Sequence, residues 1–347
     1  MTRRYVIIGA GAIGAGVGGL LAHQGVPVLL VARGAHLHVM RDRGLTVRTP
    51  DETCTVAAPV AGGPDEVQLT TDDVLVLTTK THQAEAALAE WADAPVTGPD
   101  QKVVGTAGST LPLLTALNGV ASETMALRWF ARVYGVCVWM PAVLLEPGEV
   151  IIRGGPARAA MHVGRAPVEL STEADAELLA EIKTDWESAR VLTPTPPDVM
   201  RWKYRKLLGN LGNAFQALLG DATHRNDLVE RCRNEAKDLI AQAGIPLNTE
   251  AEEGEARKAF TVQPVPGEPA RLGGSTWQSL ARGTGSAESD YLNGEVVALA
   301  HRLGRTAPVN AVVAQLMREA VRSGAKPGDL TDAELRRRLA STGAETA

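Results

Sequence analysis

The chain has 347 residues, 45% hydrophobic and 22% charged, with 35 Gly and 20 Pro in no collagen-like or low-complexity pattern. That excludes global disorder and, at roughly 150 residues per domain, predicts about two domains. Thirty-five basic against 40 acidic residues leave a net charge of -5, so no cationic field exists for nucleic acid or an anionic membrane surface, and neither is expected as a partner. Cys54, Cys137 and Cys232 are widely spaced, forming neither a disulfide framework nor a CxxC metal site, and point to a reducing compartment, the cytoplasm.

Residues 5–32 contain no Asp, Glu, Lys or Arg and follow Arg3-Arg4, superficially like a signal peptide or a membrane span. Glycines at 9, 11, 14, 16, 18 and 19, His23-Gln24 and Pro27 instead divide the run into strand, turn, helix and strand. Residues 5–8 form the strand, 9–14 the turn, 15–23 a small-residue helix closed by Gln24-Gly25, and 26–32 a second buried strand: a βαβ unit. Residues 73–78 read as another strand covered on both faces and 84–91 as a helix, so the first half predicts an open parallel sheet. Segments 133–140, 149–153 and 160–164 read as strands that extend it.

A break follows at 193–197, Thr-Pro-Thr-Pro-Pro. Beyond it, 201–219, 226–243, 286–303 and 310–323 have helical period, and 340–347 reads as a frayed end. The fold class is therefore α/β, a Rossmann-type N-terminal domain over 1–192 followed by an all-helical domain over 198–340.

Gly9-Ala10-Gly11-Ala12-Ile13-Gly14 fits G-x-G-x-x-G after a strand and at the start of a helix. There the glycines permit a tight turn, let the backbone approach a pyrophosphate and place that charge at a helix N-terminus; the alternative is an ordinary packed βα turn. The second strand ends on Arg33 rather than on the Asp or Glu that would bind a ribose 2′-hydroxyl. Its cation can pair with a 2′-phosphate, favouring NADPH over NADH, unless it is a solvated loop arginine. Lys80, in Lys80-Thr81-His82-Gln83, falls at the carboxyl edge of the sheet as a second phosphate or adenine contact or a plain strand-end lysine.

At 100° per residue, Lys206, Asn210 and Asn213 share one face of the 201–219 helix, with Leu207, Leu208, Leu211 and Phe215 opposite. Asparagine is a poor helix former, so a Lys-Asn-Asn stripe suggests hydrogen-bonding work beyond that of a solvated face. In the helix from 286, Glu288 falls in line with Leu292, Leu299 and Leu303, away from Asp290, and should point inward. A carboxylate there needs a partner or a shifted pKa, and with Lys206 it would make a proton-delivery device beside a dinucleotide.

Five patches in order give this chain a resemblance to the ketopantoate reductase (2-dehydropantoate 2-reductase) family: 9–14, Thr79-Lys80-Thr81-His82-Gln83, Leu117-Asn118-Gly119-Val120, Lys206-Leu207-Leu208-Gly209-Asn210, and Glu288-Ser289-Asp290-Tyr291-Leu292-Asn293-Gly294. The resemblance implies a cleft between a Rossmann-type and a helical domain in which NADPH reduces a 2-keto acid to the 2-hydroxy acid, as in pantothenate biosynthesis. It makes Lys206 the catalytic lysine that supplies the proton and Glu288 the glutamate that orients it and meets the substrate hydroxyl. Asn118 lies near nicotinamide and substrate, and Asn210 and Asn213 line the substrate site. Gly9, Gly11, Ala12, Ile13, Gly14, Arg33, Lys80 and Asn118 are the cofactor contacts it implies. Ser275 and Thr276 stand where the family carries a substrate-binding serine.

The chain departs from the family pattern in three places. Asn210 and Asn213 are three apart rather than four, Ser279 replaces an Asp, and Ala287 replaces a Thr. These leave the hydride chemistry intact and bear on which substrate is used. Alternatives are a same-family reductase of another keto or imine substrate in secondary metabolism and an NADP-sensing regulator without turnover. A metal-dependent hydrolase has little support, because the seven histidines show no ligand spacing beyond His36-x-His38. The expected partner is a small 2-keto acid, and family members often associate as a homodimer.

Overall fold

The computed structural model of the chain describes residues 3–220, 227–269, 273–283 and 288–341, and these form two compact units. The first comprises Met1–Leu117, Ser122–Trp202 and Thr249–Glu268, the second Asn118–Ala121, Lys203–Asn248 and Pro269–Ala347. The chain thus crosses the linear boundary near 192–198 twice, once for the four residues from Asn118 and once for the excursion Thr249–Glu268.

The first unit is built on a sheet of eight strands among the described residues: β1 (Arg4–Ile8), β2 (Val28–Val31), β3 (Val60–Ala61), β4 (Asp73–Leu77), β5 (Pro112–Thr115), β6 (Arg132–Trp139), β7 (Ala159–Arg165) and β8 (Val191–Leu192), in the order β8-β7-β6-β5-β4-β1-β2-β3. Strands β1 to β6 pair in parallel, with Tyr5 opposite both Val28 and Val74. Every residue of β4 is buried, as an apolar run in a sheet covered on both faces should be. The crossover helix α1 (Ala12–His23) connects β1 to β2, and α2 (Thr81–Ala92) follows β4.

One strand expectation is corrected. Glu149–Ile152 pairs in parallel with Leu45–Arg48 in a separate four-stranded sheet, because the free edge of β6 is already taken by β7, antiparallel from Tyr134↔Arg165 to Trp139↔Ala160. The excursion Thr249–Glu268 covers one face of that β6–β7 pair. Its strand Phe260–Val262 pairs with Gly154–Pro156, Ala256 and Phe260 pack on Cys137, Trp139 and Ala160, and the Arg257 guanidinium sits 5.3 Å from the Trp139 ring centroid.

In the second unit, 201–219 is two helices, α3 (Val199–Asn210) and α4 (Gly212–Leu219), interrupted at Leu211; α3 starts in the first unit and enters the second at Lys203. Then come α5 (Asp227–Gln242), α6 (Ser275–Arg282), α7 (Asn293–Arg302) and α8 (Pro308–Ser323). The single helix expected over 286–303 is also corrected. Glu288–Tyr291 forms a 3₁₀ turn, and Leu292, with φ -118° and ψ -87°, separates it from α7. Glu288 therefore lies off the α-helical wheel of Leu299 and Leu303, yet it is buried, with 6% exposure. No described helix is long and apolar enough to cross a membrane.

Candidate active site

In the first unit, the turn after β1 makes a cradle. Gly9 has φ +100°, open to glycine and strained for other residues. Thr78 Oγ donates to the Gly9 carbonyl at 2.7 Å, and a Cβ on Gly14 would run into both that carbonyl and the Thr78 hydroxyl. Over Gly11 the opposite holds, since a Cβ there would meet nothing within 4 Å. Gly11 caps α1 without a side-chain hydrogen bond, and the first turn, with Ala12 and Ile13, carries no acidic residue. Open space above backbone donors at the positive end of a helix fits a dinucleotide pyrophosphate.

Beyond β2, Arg33 precedes the helix Gly34–Arg43 and is its N-cap residue. Its Nη2 lies 2.6 Å from an Oε of Glu90, near the end of α2, with the two side chains 75% and 37% exposed. Lys80 is the N-cap residue of α2 and is partly buried. The sequence reading picked out Arg33 and Lys80 but missed Glu90. A pairing across 57 residues leaves no local signal.

The second unit gathers the polar stripe around its short segment Asn118–Ala121. Lys206 Nζ donates to Asn118 Oδ1 at 2.8 Å, and Asn210 Nδ2 approaches the same oxygen at 3.4 Å. One amide oxygen thus accepts from both members of the α3 face that successive turns align. Gly119 has φ +79°, and a Cβ there would lie 2.5 Å from the Tyr291 carbonyl oxygen, so the Asn118 loop abuts the 3₁₀ turn that carries buried Glu288. Asn213, on α4, falls elsewhere: its Oδ1 is 3.8 Å from the place of a Gly274 Cβ, and Gln216 Oε1 accepts from Gly274 N at 2.9 Å. This ties α4 to the start of α6, where Ser275 is half-buried and Thr276 buried. Ser279, also buried, donates to the Ser275 carbonyl at 3.0 Å. Ala287 lies outside the described residues.

The families described as "Ketopantoate reductase PanE/ApbA" and "Ketopantoate reductase PanE/ApbA C terminal" match residues 5–167 and 198–321. The chain belongs to the ketopantoate reductase family. It is 27% identical to the 2-dehydropantoate 2-reductase of Pyrococcus horikoshii over 93% of this chain and 100% of that one. To the 2-dehydropantoate 2-reductase of Archaeoglobus fulgidus it is 25% identical, over 91% and 97%. Among solved structures, the PanE/ApbA family ketopantoate reductase of Ralstonia eutropha shares the fold with a TM-score of 0.73 at 24% identity, over 92% of this chain and 99% of that one. A D-mandelate dehydrogenase solved with NADH and anilino(oxo)acetate shares it at 0.75 and 19%, over the same shares.

In this ketopantoate reductase family member the site segments are pinned by a buried polar network to which the sequence reading gave no role. Fully buried Asn293, at the start of α7, donates to Asn310 Oδ1 at 3.1 Å and approaches the Leu211 carbonyl, at the break between α3 and α4, at 3.5 Å. Asn310 donates to the Cys232 carbonyl at 3.0 Å and to Glu235 at 2.9 Å, and Cys232 Sγ donates to Asn310 Oδ1 at 3.0 Å. Burial, first, and neighbouring Glu235 raise the Cys232 thiol pKa, so it stays a neutral donor. Asparagines at apolar-helix positions were the available signal. Outside this site, His36 of the His36-x-His38 pair accepts from Gly148 N at 2.8 Å. No group of three potential metal ligands occurs among the described residues.

Proposed function

We propose that the protein is an NADPH-dependent reductase that converts ketopantoate, or a closely related 2-keto acid, to the 2-hydroxy acid. It would act in the cytoplasm, as the reduced cysteines suggest. Lys206 held on Asn118 Oδ1 carries this reading. A neutral amide orients the ammonium without neutralising it, leaving protons available to a substrate oxygen.

The turn at Gly9, Gly11, Ala12, Ile13 and Gly14 would hold the pyrophosphate of the cofactor, and Arg33 and Lys80 its adenosine end. The bound nicotinamide supplies a hydride to the keto carbon. Lys206 donates one proton to the keto oxygen as its charge develops, so the net change is keto acid, NADPH and one proton to hydroxy acid and NADP⁺. Asn118 and Asn210 hold the ammonium in line, buried Glu288 takes the new hydroxyl and orients Lys206, and Asn213, Ser275 and Thr276 bind the substrate carboxylate.

NADPH oxidation with ketopantoate and a panel of branched 2-keto acids, by wild type and Lys206→Ala, tests this. Loss of the proton donor should lower kcat by about 10²- to 10⁴-fold. Equal rates in the two proteins, or no turnover of any keto acid by wild type, would refute it.

A further inference from the structure

Glu90 bears on the cofactor, because Arg33 is already engaged. Its Nη2 sits 2.6 Å from the Glu90 carboxylate, while a Cβ on Gly63, just past β3, would lie 3.3 Å from Glu90 Oε1. The carboxylate thus stands at the carboxyl edge of β2 and β3, whose pairing puts Val31 beside Ala61. This is the edge where an open α/β sheet binds a nucleotide.

We propose that Glu90 tempers discrimination between the 2′-phosphorylated and the plain nicotinamide cofactor, an inference that rests on the cofactor reading of Arg33 above. A 2′-phosphate that reaches Arg33 has two arrangements open to it. It displaces the carboxylate and leaves Glu90 without its cation, or it shares the guanidinium fork and lies within a few ångströms of a like charge. Both weaken binding of the phosphorylated cofactor. A 2′-hydroxyl brings no charge and leaves the pair intact. Glu90 therefore acts selectively, against the ligand that Arg33 attracts, and the pair holds cofactor preference below what a lone arginine would give. Exposed pairs couple weakly, so the effect should be a several-fold shift rather than a reversal.

Equilibrium titration of 2′,5′-ADP and of 5′-ADP, followed by calorimetry at low and moderate salt, reads this without turnover. Glu90→Gln should tighten 2′,5′-ADP about 3- to 10-fold, with the gain shrinking as salt screens it, and change 5′-ADP less than about twofold. An unchanged affinity for 2′,5′-ADP, or an equal change for both nucleotides, would overturn the role of Glu90. Arg33→Ala separates the two levels. If it weakens 2′,5′-ADP while Glu90→Gln does not tighten it, only the present inference fails; if it changes neither nucleotide, the cofactor reading of Arg33 falls and this inference with it.

Discussion

Gly119 and Tyr291 meet backbone to backbone: a methyl group on Gly119 would lie 2.5 Å from the Tyr291 carbonyl oxygen, at a φ of +79°. That contact holds the Asn118 loop against the turn bearing Glu288. Gly119→Ala must shift one of them and accept a left-handed backbone, a combined cost of about 2 kcal/mol or more. Thermal melts should show that loss. Misplacing Asn118 by about 1 Å should also lower kcat on the order of 10²-fold, and a variant that melts normally and turns over normally would contradict the packing described.

Asn118→Asp replaces a neutral acceptor of the Lys206 proton with a charged one. An adjacent anion favours the ammonium and raises the lysine pKa. If Lys206 is the proton donor as proposed, the alkaline fall of kcat should move to higher pH, while the plateau drops because the donor is a weaker acid. A pH profile whose alkaline limb stays in place would detach Lys206 from the proton step.

Much of this was legible in the sequence where the signal is local. Glycine spacing gave the turn after β1, and helical period placed Lys206, Asn210 and Asn213 on one face, of which the shared Asn118 oxygen joins the first two, while Asn213, past the break at Leu211, lies by Gly274. Local signals failed where a distant partner decides. Period 3.6 carried Glu288 onto a helix that Leu292 interrupts, and no pattern announced that Thr249–Glu268 returns to the first unit. The burial of Glu288 came out as expected from a wheel that does not apply to it. The inward position is therefore a property of the turn packed near Gly119 rather than of an amphipathic face.

Gly11→Ala distinguishes a cofactor cradle from a merely tight turn. Its Cβ would enter empty space, and the residue's φ of -74° is ordinary. Stability should change by less than about 0.5 kcal/mol, since neither a clash nor a left-handed backbone is involved. With the pyrophosphate placed as proposed, NADP⁺ affinity, by fluorescence titration, should fall at least about tenfold, because the methyl would occupy that space. Unchanged affinity would return the motif to a structural role.

Asn310 is the hub of the buried network: removing its side chain takes the acceptor from the Cys232 thiol and from Asn293 Nδ2 and a donor from the Cys232 carbonyl, while Glu235 keeps the backbone N–H groups of residues 309 and 310. Unpaired buried polar groups cost about 1–3 kcal/mol each, more for a charge. Asn310→Ala should therefore lower the urea midpoint by an amount equivalent to about 3 kcal/mol, well above the effect of an exposed asparagine. Because Asn293 reaches the Leu211 carbonyl, the loss should also show in kcat at urea-free conditions, and a stability change below about 1 kcal/mol would mean that water satisfies these groups.

His162 is 2% exposed, stacked on Trp202 at 4.0 Å and edge-on to Trp139 at 5.0 Å. Burial lowers its pKa from 6.5 to about 4. The folded protein thus resists a proton that the unfolded chain accepts between those two values. Unfolding takes up a proton in that window, so stability is fully present above about pH 6.5 and falls as pH drops toward 4, by roughly 3 kcal/mol at most. His162→Phe keeps a ring on Trp202 and cannot titrate. The difference in urea midpoint between wild type and His162→Phe, followed from pH 7 to pH 4, should change progressively through the window and level off below it. Parallel curves would show that His162 takes its proton in the folded state.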